Sequence, residues 1–275
     1  MSSRRRPAKG VLLSVITAAL LVLTLLPVAW LVQMSLKTDA DAFRMPPRLL
    51  FVPTFDNYRA LFEGKFARSF TNSLVVSTTT TMLSILLGVP AAYALSRAGF
   101  RADRAVAFWV LATRMAPPIA FAIPFFLAYR WLGLIDTLLG MVIIYLTFNL
   151  SLVIWMMRTF FDGLPRSLEE AAAIDGAGPL EVFRRITLPL SAPGLVATAI
   201  FCFILSWNDF FYALILTRSQ AQMAPVAIVN FMNYEGWEWG KIAAGGTLVM
   251  LPVLVFSFLV RNFLVRGLTA GALKG

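Results

Sequence analysis

The 275-residue sequence contains no histidine and a single cysteine, Cys202. Without histidine the chain lacks the commonest general acid–base and the commonest metal ligand. One thiol supports neither a disulfide framework nor a thiolate metal site. Charge is also scarce: 14% of the residues are Asp, Glu, Lys or Arg, against about a quarter in soluble domains. A phosphate cradle of the form Gly-x-x-x-x-Gly-Lys-[Ser/Thr] is missing. The stretch EGWEWGKI at 235–242 has Gly240-Lys241 but neither the leading glycine nor the hydroxyl. Any ATP hydrolysis therefore belongs to another chain. A membrane enzyme would need clustered nucleophiles, bases or metal ligands, and this composition does not supply them.

What the chain has in excess is apolar surface. Hydrophobic residues make up 59% and the mean hydropathy is +0.77, which places the chain among integral membrane proteins. A spanning helix needs roughly 20 predominantly apolar residues, and six stretches qualify: 11–36, 71–95, 105–129, 138–157, 193–217 and 242–265. The opening MSSRRRPAKG looks like the basic start of a signal peptide. The apolar run after it is too long and no small-x-small cleavage site follows, so it reads as an uncleaved first span. Six spans put both termini on one side. With the amino terminus inside, the inner segments carry fourteen Lys and Arg residues and the outer ones nine, which follows the positive-inside rule. The net charge of +10 is thereby explained by topology, and no nucleic-acid partner is expected. The division along the chain is a basic amino terminus (1–10), a first span (11–36), a five-helix membrane domain (71–265) and a tail (266–275).

Prolines interrupt several spans, at Pro27, Pro90, Pro117-Pro118, Pro124 and Pro252. Neighbouring groups must satisfy the backbone that they free, which suits helices around a cavity as well as simple kinks in a bundle. Two ionisable residues, Arg114 and Asp209, fall well inside spans, whereas Arg261 lies near the end of the last one and counts with the inner basic segment. Intramembrane charges face an interior, a cavity or an interface by default. Asp209 is expected near the outer half of span five. Arg114, in the inner half of span three, has snorkelling to the membrane surface as an alternative.

The longest inner loop, 158–190, is polar and sharply punctuated. Ser167-Leu168-Glu169-Glu170 reads as a capping box, with Glu170 reaching back to the Ser167 amide. Leu168, Ala171, Ala172 and Ile174 make a short small-faced helix, which Asp175-Gly176 ends in a turn. Gly178-Pro179 starts a second helix, with Pro179 at its first position, expected to run through Arg184-Arg185 and to stop before Pro189. The insert is thus a helix–turn–helix finger, too short to be a domain.

Glu170-Ala171-Ala172, Gly176, Ile186 and Leu188-Pro189 have the residues and spacing of the EAA signature, and here the sequence resembles the permease subunits of binding-protein-dependent ABC importers. FDNYRALF (55–62), NSLVVS (72–77), PAAYALSR (90–97), SWNDFFYALILT (206–217) and VRGLTAGALKG (265–275) extend the resemblance over nearly the whole chain, to the carbohydrate branch and its maltose-type second permease. The implied fold is an all-α integral membrane protein of six transmembrane helices with a cytoplasmic helix–turn–helix coupling insert. The implied chain is not an enzyme and binds no cofactor, ATP and Mg being held by the partner ATPase. The resemblance also implies a second permease, usually a different chain, two ATPase subunits and an extracytoplasmic sugar-binding protein. Its location would be a bacterial or archaeal cytoplasmic membrane, with both termini cytoplasmic.

In that family the first helix of the insert sits in a cleft of the ATPase. Glu170, Ala171, Ala172, Asp175, Gly176, Arg184 and Arg185 are the coupling residues so implied, and the tail 271–275 reaches the same interface. Asp209, Asn208 and Arg114 become candidates for the transport pathway or the permease interface. Two other readings remain at this point: an ion-coupled secondary carrier, and an ABC permease for a non-sugar solute such as glycerol phosphate. The carrier would need ionisable relays at the membrane midplane, where only Arg114 and Asp209 are available.

Overall fold

Proline and short polar breaks divide two of the stretches that hydropathy alone reads as single spans. The computed structural model describes residues 7–97, 103–233 and 236–272; the first six residues and the tail beyond 272 lie outside the described residues. In chain order the elements begin with α1 (Pro7–Ser35), α2 (Asp39–Ala42), α3 (Asp56–Glu63) and α4 (Phe66–Arg97). There follow α5 (Asp103–Met115), α6 (Pro118–Trp131), α7 (Leu138–Asp162), α8 (Arg166–Ile174) and α9 (Pro179–Val182). A π-helical turn, Phe183–Thr187, leads into α10 (Leu188–Leu190), α11 (Ala192–Trp207), α12 (Phe211–Leu216) and α13 (Ala224–Val229). A two-residue hairpin, β1 (Met232–Asn233) with β2 (Gly236–Trp237), precedes α14 (Trp239–Ala272).

Among the described residues four helices are long and apolar enough to cross a membrane, and two bent pairs, 108–131 and 179–207, make six if each pair is one span. The expected span at 105–129 is two helices, α5 and α6, bent by 92°. Pro117 offers no amide to continue α5, and Pro118 starts α6 at the position a helix tolerates best. The expected span at 193–217 also needs correction, because α11 ends at Trp207. There Asn208 caps it, its amide bonded to the Ile204 carbonyl. The Asp209 carboxylate then accepts from the Ala213 amide at 3.1 Å and starts α12. A side chain that bonds the backbone four residues on competes with helix continuation.

The chain forms two contact-defined units. The first, residues 1–67 and 228–250, is tied together by the FDNY stretch. The Asn57 amide donates to the carbonyls of Ser35 at 3.0 Å and Lys37 at 2.8 Å, and Tyr58 shares a 2.7 Å bond with the Ser35 hydroxyl. Lys37 is buried, with its ammonium over the rings of Trp30 and Phe51 at 5.4 and 5.2 Å, which offsets the cost of taking a cation out of water.

The second unit, residues 68–227 and 251–275, holds two buried apolar clusters. One joins Val76, Tyr129, Ile144, Tyr145 and Leu216, from α4, α6, α7 and α12. The other joins Val89, Ala92, Val153, Met157, Phe161 and Cys202, from α4, α7 and α11. Gly88 is what lets α4 and α7 meet so closely, since a Cβ there would lie 2.7 Å from Val153 Cγ1. Small residues at such crossings replace the hydrophobic driving force that lipid does not provide.

Candidate functional site

The insert between α7 and α11 differs in detail from the sequence expectation. Its first helix starts two residues early, at Arg166, with Pro165 as N-cap and no side-chain cap bond. Ser167 therefore lies within the first turn, the capping box is not formed, and Glu170 is exposed rather than turned back to the chain. Glu169, one residue earlier, carries the structural role. Its carboxylate takes two hydrogen bonds from the Arg97 guanidinium, at 2.8 and 2.9 Å, and a third from the Thr187 hydroxyl at 2.8 Å.

Arg97 completes a junction at the end of α4. It donates also to the Phe161 carbonyl at 2.9 Å and to the Ser96 hydroxyl at 2.8 Å, while Ser96 bonds the Asp162 carboxylate. One guanidinium thus joins the ends of α4 and α7 to α8, and through Glu169 to the π-helical turn. The planar fork of arginine is suited to such bidentate bonding. Burial pushes the Glu169 carboxyl up, but the bonds from Arg97 and Thr187, the Arg97 charge and the Tyr93 hydroxyl outweigh it and hold the group below its ordinary 4.5. The Arg97–Glu169 pair, both side chains 14% exposed, fixes the base of the finger.

Beyond that anchor α8 stands free, while α9 buries Val182. No residue of α8 is buried, Ile174 is 86% exposed and Leu180, in α9, is 61% exposed. The turn at Asp175-Gly176 forms as expected, with Gly176 at φ +91°. A Cβ there would meet nothing within 4 Å, so glycine is required for its backbone conformation and not for close packing within this chain. Of the other residues expected to couple, Ala171, Asp175 and Arg184 are exposed and Ala172 is half-buried; Arg185 is exposed and paired with Glu181 at 2.7 Å. The second helix does not stop before Pro189. The π-helical turn carries it into α10, where Pro189 sits in the first turn and its missing amide is harmless.

A second candidate region is a cavity of about 600 Å³ lined by α5, α6, α7, α11 and α12. Arg114 and Asp209, the two charged residues expected within spans, both line it, together with the hydroxyl residues Thr113 and Thr147. Its aromatic lining includes Trp109, Phe121, Phe125, Phe148 and Tyr212. Arg114 lies in the last turn of α5, where the free carbonyls favour a cation. Asp209 is held by the Tyr145 hydroxyl at 3.1 Å as well as by the Ala213 amide. Asn208 is exposed and is not among the lining residues, so the structure separates it from its neighbour.

Sequence reasoning missed a third feature, at the opposite end of α7. Asp136, at φ +58°, accepts from the backbone amides of Arg218, Ser219, Gln220 and Ala221 at distances from 2.8 to 3.2 Å. Burial raises its carboxyl, and those four amides bring it below 3.8. Asn72 reinforces the same segment, its amide donating to the carbonyls of Gln220 and Gln222 at 2.9 and 3.1 Å. The only local signal was the Ile-Asp-Thr turn before α7.

Most of the chain is similar to known proteins. Residues 84–269 match the family described as "Binding-protein-dependent transport system inner membrane component". The chain is 42% identical to the trehalose transport system permease protein SugB of Mycobacterium tuberculosis, over 91% of this chain and 93% of that one. It is 32% identical to the trehalose/maltose transport system permease protein MalG of Thermococcus litoralis, over 99% of each. Among solved structures it is similar to a chain of a bacterial ABC transporter involved in the import of the acidic polysaccharide alginate, with a TM-score of 0.78 and 27% identity over 95% of this chain and 98% of that one.

Proposed function

The chain belongs to this family as a multi-pass inner-membrane permease subunit of a binding-protein-dependent ABC importer, and on that premise we propose that its solute is a carbohydrate and that the finger of α8 and α9 is its coupling element. The relatives named for trehalose and maltose support the solute class. In this reading the finger and both termini face the cytoplasm, on the side where the Lys and Arg excess lies. ATP is hydrolysed by separate subunits, a second permease completes the pathway, and a binding protein delivers the sugar from outside.

The single observation that carries the coupling role is the exposed apolar surface of a short polar-rooted finger. Ile174 and Leu180 stand out in water unless another protein covers them. Glu170, Ala171, Ala172, Asp175 and Gly176 form the approach surface, the small side chains permitting a close fit. Arg184 and Arg185 add charge beside it. The tail at 271–275 joins the same interface. Ile174→Asp places a charge at the centre of that contact and leaves the spans untouched. The variant should reach the membrane in normal amount, fail to co-purify with the ATP-hydrolysing subunit, and lose sugar uptake at least ~10-fold, the equivalent of about 1.4 kcal/mol. Unchanged uptake with the ATPase still bound would show that the finger is a connector.

A further inference from the structure

We infer that the cavity at the two helix breaks is a station for a neutral sugar ring on the path through this chain, an inference that rests on the carbohydrate reading above. Two independent breaks converge on it: Arg114, Ala116 and Pro118 line it from the α5–α6 break, and Leu205, Asp209 and Tyr212 from the α11–α12 break. Irregular backbone at membrane depth is tolerated where it is buried in protein or lines a cavity, and transport proteins place their solute sites at such discontinuous helices. A cavity of about 600 Å³ falls within the range that encloses a small-molecule ligand.

The chemistry of its wall selects the solute. A sugar ring has one face of weakly positive C–H groups, which lies well on the negative face of an aromatic ring, and a rim of hydroxyls that both donate and accept. The cavity offers both kinds of partner. Phe148 and Tyr212 stack with ring centroids 6.2 Å apart and planes 15° from parallel, and Phe125 packs edge-on against Tyr212 at 6.1 Å. Among the described residues Arg114 has neither a hydrogen-bond nor an ion-pair partner, leaving its donors for a ligand. Asp209, fixed by Tyr145 and Ala213, presents acceptors from a defined direction. A lipid tail would leave Arg114 unsatisfied in an apolar filling, at considerable cost.

Charge balance decides between neutral and acidic sugars. Arg114 and Asp209 are the cation and the carboxylate of the lining, so the wall is close to neutral overall. A uronate or a phosphate would gain from Arg114 and be repelled by Asp209, whereas neutral hydroxyls use both. The inference thus parts from the solved importer named for an acidic polysaccharide.

The test uses the assembled importer in vesicles, with Ala112→Cys in one preparation and Thr147→Cys in another, placing thiols on two walls of the cavity. Modification by a small water-soluble thiol reagent is followed by mass spectrometry of that residue, with and without trehalose, and trehalose uptake is measured in parallel. Bound trehalose at several times its dissociation constant should slow modification at one or both positions about fivefold. Adding Asp209→Asn should remove most of that protection. Uptake of trehalose without slowing at either position would overturn the inference and leave the carbohydrate reading standing. Failure to take up trehalose, maltose or any other neutral disaccharide tried would sink that reading, and the inference with it. Stronger protection by a uronate disaccharide than by trehalose would overturn the neutral assignment.

Discussion

Glu169→Ala is expected to abolish coupled uptake, whereas Glu170→Ala leaves the fold of the insert unchanged, although the family signature begins at Glu170. Removing Glu169 takes the carboxylate partner from the Arg97 guanidinium, 14% exposed, and leaves it the Phe161 carbonyl and the Ser96 hydroxyl alone. Breaking one side of a largely buried charge pair costs about 3 kcal/mol or more, because the surviving charge keeps its desolvation penalty. Glu170 is exposed and caps nothing, so its removal should change stability by no more than about 0.5 kcal/mol. Any effect of Glu170→Ala on transport must then act through a docked partner. Limited proteolysis of the 166–190 segment reads the difference: rapid cleavage in Glu169→Ala and wild-type resistance in Glu170→Ala. Equal resistance in both would refute the anchoring role.

The pH dependence of that anchor has a definite sign. The folded carboxyl of Glu169 is held below its ordinary 4.5, so its stabilising contribution is full above about pH 4.5 and is lost as pH falls through the depressed folded value. Protease resistance of the finger should therefore be constant from pH 8 to about pH 5 and decline only in stronger acid.

Asp136→Ala should give the second large effect, at the other end of α7. Four backbone amides from 218–221 lose their acceptor together. A hydrogen bond to a charged group contributes about 1.5–3 kcal/mol, and amides at a partly wet surface recover some of this from water. A total loss of about 3 kcal/mol is expected. Asp136→Asn tolerates the positive φ and keeps one acceptor oxygen, so it should lose about half as much. Thermal inactivation of the detergent-purified chain reads both, with Asn intermediate between wild type and Ala. An Ala variant within about 0.5 kcal/mol of wild type would show that water replaces the carboxylate freely. Because Asp136 lies at the end of α7 away from the finger, docking of the ATPase should survive in any Asp136→Ala protein that remains folded.

The membrane helices were legible in the sequence because each is a long apolar run, and hydropathy needs no partner to be read. Their breaks were less so. Pro117-Pro118 announced a discontinuity, but its size depends on packing across α5, α6 and α7. The break after Trp207 was hidden, because Asn208-Asp209 interrupts an apolar run that continues to Thr217. The finger was legible in outline: Gly176 and Gly178-Pro179 fall at the turn and at the second helix start. The choice between Glu169 and Glu170 was not. Both fit a local pattern, and only the position of Arg97, seventy-two residues away, decides which one is held. The shared lining of the cavity by Arg114 and Asp209 depended likewise on how distant helices fold together.

The central claim is that the finger of α8 and α9 is where this permease meets the ATP-hydrolysing subunit. The most direct measurement replaces Ile174 with a photoactivatable amino acid in the importer assembled in its own membrane and identifies what it captures on illumination. The account predicts one dominant adduct, with the ATPase subunit, whose yield changes between nucleotide-free and ATP-bound states. Capture of lipid or of the second permease alone, in a preparation that still transports sugar, would contradict it.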